Sequence, residues 1–60
     1  MRPKFDHPAD SPEGRMERAV WVLRNGESRG VPVAVTIGWL KERRGLTFEE
    51  ITAALYTAAG

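Results

Sequence analysis

The chain has 60 residues, which is enough for one small domain but too few to build a deep substrate cleft easily. Nine Lys and Arg residues balance eight Asp and Glu residues, so bulk charge alone does not supply affinity for nucleic acid. The absence of cysteine excludes disulfides and cysteine-based zinc sites. No apolar run approaches the roughly 20 residues that span a bilayer. We therefore expect a cytoplasmic protein that is not in a membrane.

The first ten residues contain few apolar side chains and two prolines. Proline removes a backbone hydrogen-bond donor, and Phe5 is the only large apolar side chain that this stretch could bury. The composition predicts a flexible, disordered arm over residues 1–10, followed by a single helical domain over residues 11–60.

The first predicted helix covers about residues 12–25. Ser11 can accept hydrogen bonds from the free amides of the first turn, and Pro12 suits the first helical position. The pair Asn25-Gly26 is a plausible end, because glycine adopts the left-handed conformation without a Cβ clash.

A β-hairpin over residues 19–37 is the alternative to two helices there. Both halves of this stretch are rich in β-branched residues, and Asn25-Gly26 is also a hairpin signal. However, seven residues separate Arg24 from Pro32, which is long for a tight hairpin, and a proline removes a donor from the ladder. We favour the helices.

The second predicted helix covers about residues 32–44, with Pro32 in its first turn. Besides a core stripe, it carries a second apolar stripe of Val35 and Trp39. Such a wide apolar arc usually means contacts on two sides. Gly38 in the middle of the helix suggests the close approach of another backbone.

The third predicted helix covers about residues 48–59 and has the most specific local signal. Thr47 and Glu50 have the spacing of a capping box, in which each side chain accepts a hydrogen bond from the backbone of the other. Leu46 and Ile51 flank the box at the positions of a hydrophobic staple.

Together these elements predict an all-α fold of three short helices (about 12–25, 32–44 and 48–59) behind the arm. The helical spacing of the apolar residues gives the expected core. Its members are Met16, Val20, Leu23, Val33, Ile37, Leu40, Leu46, Phe48, Ile51 and Leu55.

The stretch LKERRGLTFEEITAAL, which begins at Leu40, resembles the corner of helix-turn-helix DNA-binding regulators. In this resemblance Gly45 is the turn glycine, Leu46 is the apolar residue after it, and Leu40 and Ile51 anchor the helices on either side. The likeness covers residues 37–56. It implies a transcriptional regulator that binds duplex DNA as a dimer.

The same stretch is also similar to the opening of a phage-repressor-type DNA-binding domain. In that register it forms the first two helices, and the reading helix would follow residue 60. In the helix-turn-helix alignment, with Gly45 as the turn glycine, Lys41 lies where the family prefers a small residue and Arg44 lies where it prefers an apolar residue.

The charges determine which residues would contact DNA. The third helix opens with Glu49 and Glu50, and no basic residue follows Arg44, so phosphate contacts have to come from elsewhere. The same basic residues at a helix end can equally be solvated and complement the helix dipole. The candidate phosphate contacts are Lys41, Arg43, Arg44, Arg15 and Arg18.

A second functional hypothesis is a helical module that binds a protein partner or assembles with itself. The expected partner interface consists of Trp21, Val35, Trp39 and Tyr56. For the two tryptophans, burial in the core and stacking on bases are the alternatives. A homodimer is expected under either hypothesis.

Catalysis and metal binding have little support in the sequence. Ser11 and Ser28 have no credible base other than His7, and a single imidazole in an arm rarely binds a metal. Glu49 and Glu50 point about 100° apart on a helix and do not converge. We expect no enzymatic activity, no metal, no cofactor and no small-molecule substrate.

Overall fold

The computed structural model describes residues 4–60, and within that range it contains three α-helices and no strand. They are α1 (Pro12–Ser28), α2 (Val33–Arg43) and α3 (Phe48–Ala59). The all-α prediction is confirmed, and the hairpin alternative is wrong. None of these helices is both long enough and apolar enough to cross a membrane.

Helix α1 begins where the sequence predicts and ends three residues later. The Ser11 hydroxyl accepts a hydrogen bond from the backbone N–H of Gly14 at 2.9 Å, which caps the helix. Gly26 does not end the helix; it is buried inside it. A Cβ at Gly26 would lie 3.0 Å from the Thr36 hydroxyl, so glycine lets α1 and α2 approach closely here. The chain turns instead at Gly30, where φ is +79°.

Helix α2 is one residue shorter than predicted at each end. Gly45 follows it with a φ of +65°, a left-handed conformation that favours glycine, so the predicted turn is confirmed. The expectation of a close backbone contact at Gly38 is wrong for residues 4–60, because a Cβ built there meets nothing within 4 Å.

Helix α3 has the predicted bounds and the predicted capping box. The Thr47 hydroxyl accepts from the backbone N–H of Glu50 at 3.2 Å. In return, the Glu50 carboxylate accepts from the backbone N–H of Thr47 at 2.9 Å. Two free amides at the start of α3 are thereby satisfied.

The core lies between the three helices, with most of the packing between α1 and α3. Ala19 and Ala54 are its most buried small residues, and they let these two helices approach closely. Partly buried residues around it include Met16, Val20 and Ile37. The buried apolar residues are Ala19, Leu23, Leu40, Leu46, Ile51 and Ala54.

Two residues of the predicted core lie on the surface. Val33 is 55% exposed and Phe48 is 84% exposed. Each is the first residue of its helix, where the preceding loop leaves one side open to solvent. At the start of α3 the buried positions belong to Leu46 and Ile51, the predicted staple residues, so Phe48 points away from the core.

The N-terminal segment contacts α1 over the residues that the structure describes. The backbone N–H of His7 donates to the Glu17 carboxylate at 2.9 Å. The Arg18 guanidinium lies 4.4 Å from the centre of the Phe5 ring, a cation–π contact. Residues 1–3 of the predicted arm lie outside the described range.

Candidate functional site

The solvent side of α2 is largely apolar and contains no core residue. Val35, Gly38, Trp39 and Glu42 have the helical spacing that places residues on one face. We call these four residues the outer face of α2. Val35 is 60% exposed and Trp39 is 40% exposed. The second apolar stripe predicted for this helix is therefore present, and it is partly exposed in the part of the chain that the structure describes.

A groove of about 250 Å³ runs beside the outer face, between α2 and the end of α1. Val22 and Val31 continue its apolar lining, and the Arg29 side chain lies at the same groove. The Arg44 guanidinium lies 5.1 Å from the centre of the Trp39 ring, which helps to hold this indole in place.

Helix α3 exposes a separate aromatic pair. Phe48 and Tyr56 are 84% and 80% exposed, and they lie eight residues apart on one side of the helix. Between them, the Thr52 hydroxyl donates to the Phe48 carbonyl at 2.9 Å. The sequence predicted Phe48 in the core because it lies three and seven residues before Ile51 and Leu55, on the same side of a helix.

The predicted partner interface is divided among three surfaces. Val35 and Trp39 lie together on the outer face of α2, and Tyr56 lies on α3. Trp21 lies on α1 and is 41% exposed, in a cleft that it shares with Phe5. Neither tryptophan fills the core.

Arg15, one of the candidate DNA contacts, is engaged within the molecule. Its guanidinium donates to both carboxylate oxygens of Glu50, at 2.8 Å and 3.1 Å, and to the Gly45 carbonyl at 3.1 Å. The hydrogen bond from Arg15, followed by that from the Thr47 backbone, lowers the pKa of Glu50 to about 2. The same pairing raises the pKa of Arg15.

Arg18 is also engaged, because it donates to the carbonyls of His7 and Gly14 at 3.1 Å and 3.0 Å. By contrast, Lys41 and Arg43 are exposed in the last turn of α2, and their side chains make no hydrogen bond within residues 4–60. Of the five predicted phosphate contacts, these two are the most available.

The Glu17 carboxylate contacts His7. It lies 3.0 Å from His7 Nδ1 and accepts from the backbone N–H of Asp6, also at 3.0 Å. The Asp6 hydrogen bond is the main cause of the lowered pKa of Glu17. Over residues 4–60 no three acidic, His or Cys side chains are grouped as a metal site would need.

The exposed candidate residues thus form an apolar surface on α2, an aromatic pair on α3 and a basic end of α2. The apolar surface and the basic end share one helix and meet where Arg44 covers Trp39. Comparison of the chain with protein-family models, with curated proteins and with solved structures gives no match.

Proposed function

We propose that this chain is a non-enzymatic helical module that binds protein through the outer face of α2. The observation that supports it best is the exposure of Val35 (60%) and Trp39 (40%) on a helix whose opposite side packs in the core. Large apolar side chains that lie together on a surface mark interaction sites more often than isolated ones do.

The chemistry of the outer face suits a protein partner. Fully burying an exposed large apolar side chain contributes about 1.5–3 kcal/mol. Val35 and Trp39 are already partly covered, so burying the rest of each contributes only part of that value to partner binding. Tryptophan is among the residues that dominate protein interfaces. Because Arg44 already restrains the Trp39 ring, less conformational entropy is lost when this side chain is buried.

Site-specific photo-cross-linking tests this proposal. A photoreactive amino acid replaces Val35 in the protein expressed in its native cells, and mass spectrometry identifies what becomes attached. We expect protein adducts at this position. The matched control places the same group at Glu13, which is exposed on α1, and should give none. Equal labelling at both positions, or no protein adduct at Val35, would contradict the proposal.

A second candidate function is a helix-turn-helix regulator that binds duplex DNA as a dimer. It is favoured by the exposed Lys41 and Arg43, which lie immediately before the left-handed turn at Gly45. It is weakened by the engagement of Arg15 in an ion pair and by the exposed carboxylate of Glu49 at the start of α3. Near a phosphate backbone, this carboxylate is repelled.

Salt dependence of duplex binding tests this second candidate. If Lys41, Arg43 and Arg44 contact phosphates, the log–log slope for one copy should be about −2.7. Lys41→Ala should then make the slope shallower by about 1, whereas Lys4→Ala, at an exposed residue of the N-terminal segment, should leave it unchanged. Absence of binding at low salt would exclude this function.

A further inference from the structure

The charges along the groove between α1 and α2 indicate the chemistry of the partner. Val22 lines this groove and also a second pocket, of about 110 Å³, which continues the same space towards the start of α1. The ionisable side chains at this pocket are Arg15, Arg18 and Arg44, and the rest of its lining is apolar. We call it the basic pocket.

The opposite end of the groove is basic as well, because the ionisable side chain that lines it there is Arg29. Arg15 is already neutralised by Glu50 and adds no net charge. Arg18, Arg29 and Arg44 make no ion pair within residues 4–60. The apolar lining therefore lies between guanidiniums that have no carboxylate partner in the described chain.

Carboxylates elsewhere on the same elements do not cancel this charge. Asp10 and Glu27 line neither the groove nor the basic pocket. Glu42 lies on the outer face of α2, but the other ionisable residues at that end of the helix are cations, namely Lys41, Arg43 and Arg44. Both ends of the groove are thus net positive, and a second copy of this surface would bring like charges together.

We propose that the partner presents an acidic segment to this groove, with apolar side chains against Val35 and Trp39 and carboxylates at the guanidiniums of both ends. This inference rests on the proposed function and names the chemistry of its partner. The planar guanidinium of arginine can donate two parallel hydrogen bonds to one carboxylate, which suits it to this recognition.

The distance between the two basic ends sets the spacing of the acidic residues in the partner. Arg18 and Arg29 lie eleven positions apart along α1 and its cap. This separation corresponds to about 16 Å along a helix axis. The carboxylates of the partner should therefore lie about three helical turns apart, or about five residues apart in an extended segment.

The lining of the groove suits a protein segment better than a nucleic acid. Proteins bind single strands by stacking successive bases on aromatic rings. Among the described residues that line the groove, Trp39 alone is aromatic, and a cation–π contact with Arg44 already occupies one face of its ring. The remaining large apolar side chains are Val22, Val31 and Val35, which pack well against aliphatic side chains. The phosphates of a duplex would leave this lining uncovered.

Selection from a random peptide library displayed on phage tests the proposal with the purified full chain. Peptides that bind the wild type should be enriched in Asp and Glu, with aliphatic residues between the acidic positions. Arg29→Glu and Arg44→Glu should each bind these peptides at least about fivefold more weakly in fluorescence anisotropy, because each variant places like charges opposite each other. Lys4→Glu, which makes the same change in net charge at an exposed residue of the N-terminal segment, is the control and should bind as the wild type does.

A change in the peptide gives a second measurement that does not depend on the folding of a variant. Replacing each Asp by Asn and each Glu by Gln in an enriched peptide should weaken its binding to the wild type by at least about fivefold. Circular dichroism shows whether the protein variants are folded.

Three results would overturn the inference. They are a selection that does not enrich acidic peptides, an enriched peptide whose binding is unchanged both by its amide replacements and by the folded arginine variants, and an oligonucleotide that displaces the acidic peptide and binds more tightly than it does. Any of these results together with protein adducts at Val35 would overturn this inference alone. The proposed function itself fails if Val35 cross-links no protein at all.

Discussion

At the residue scale, Glu50 serves two parts of the fold. It completes the capping box with Thr47, and it binds the guanidinium of Arg15 from α1. The first role was predictable because its signal is a spacing of three residues. The second was not, because the partner lies 35 positions away and the local pattern around Arg15 indicates only an exposed cation.

The lowered pKa of Glu50 predicts how stability depends on pH. Its pKa is about 2 in the folded protein, below the ordinary 4.5, so its contribution is present above pH 4.5 and is lost as the pH falls towards 2. The lowered pKa of Glu17 acts in the same direction. Glu50→Gln should lower the thermal midpoint at pH 7 by a few degrees and leave it nearly unchanged at pH 2.

Thermal unfolding followed by circular dichroism from pH 7 to pH 2 measures this effect. Glu49→Gln is the matched control, because its carboxylate is exposed and forms no ion pair within residues 4–60. This control should lose stability with falling pH as steeply as the wild type does. If Glu50→Gln shows the same steepness as well, the ion pair with Arg15 does not form in solution.

At the element scale, the sequence predicted helix starts better than helix ends. Ser11 and Thr47 cap their own helices through bonds to residues three positions on, so the signal is local. The end of α1 depends on tertiary packing: Gly26 looks like a stop signal, yet it lies inside the helix because Thr36 of α2 passes close to it. Spacing within one helix contains no information about that contact.

The two helical glycines should therefore respond to alanine in opposite ways. Gly38→Ala should stabilise the monomer by about 0.5–1 kcal/mol, because the new Cβ meets nothing and alanine favours the helix. At Gly26 the Cβ would lie 3.0 Å from the Thr36 hydroxyl. Overpacking of this kind costs about 1–3 kcal/mol, which offsets or exceeds the gain in helix propensity.

Urea unfolding at low protein concentration measures both changes without a contribution from self-association. The wild type is the common reference, and the two substitutions add the same methyl group to the interior of a helix. Stabilisation by Gly26→Ala as large as that by Gly38→Ala would mean that α1 and α2 are farther apart than described.

At the scale of the whole molecule, helical periodicity found most of the apolar residues that pack together but not all of them. Leu23, Leu40, Leu46 and Ile51 are buried as predicted. Small residues at the α1–α3 contact were missed, because an alanine gives a weak apolar signal even where it is fully buried. The candidate interface was predicted only in part. Val35 and Trp39 share a face of one helix, as their spacing indicated. Trp21 and Tyr56 lie on other helices, and the spacing within one helix does not show how separate helices pack.

The contrast between Leu40 and Phe48 tests this arrangement of the core. Leu40 is 1% exposed and lies among all three helices, whereas Phe48 is 84% exposed. Leu40→Ala should cost about 2–5 kcal/mol, which is most of the roughly 3–9 kcal/mol that a domain of this size has. Phe48→Ala removes a larger side chain, yet it should change stability by no more than about 0.5 kcal/mol. Urea unfolding of the two variants, measured side by side, tests this difference. If Phe48→Ala lowers the free energy of unfolding as much as Leu40→Ala does, the Phe48 ring lies in the core and α3 is rotated about its axis relative to the arrangement described.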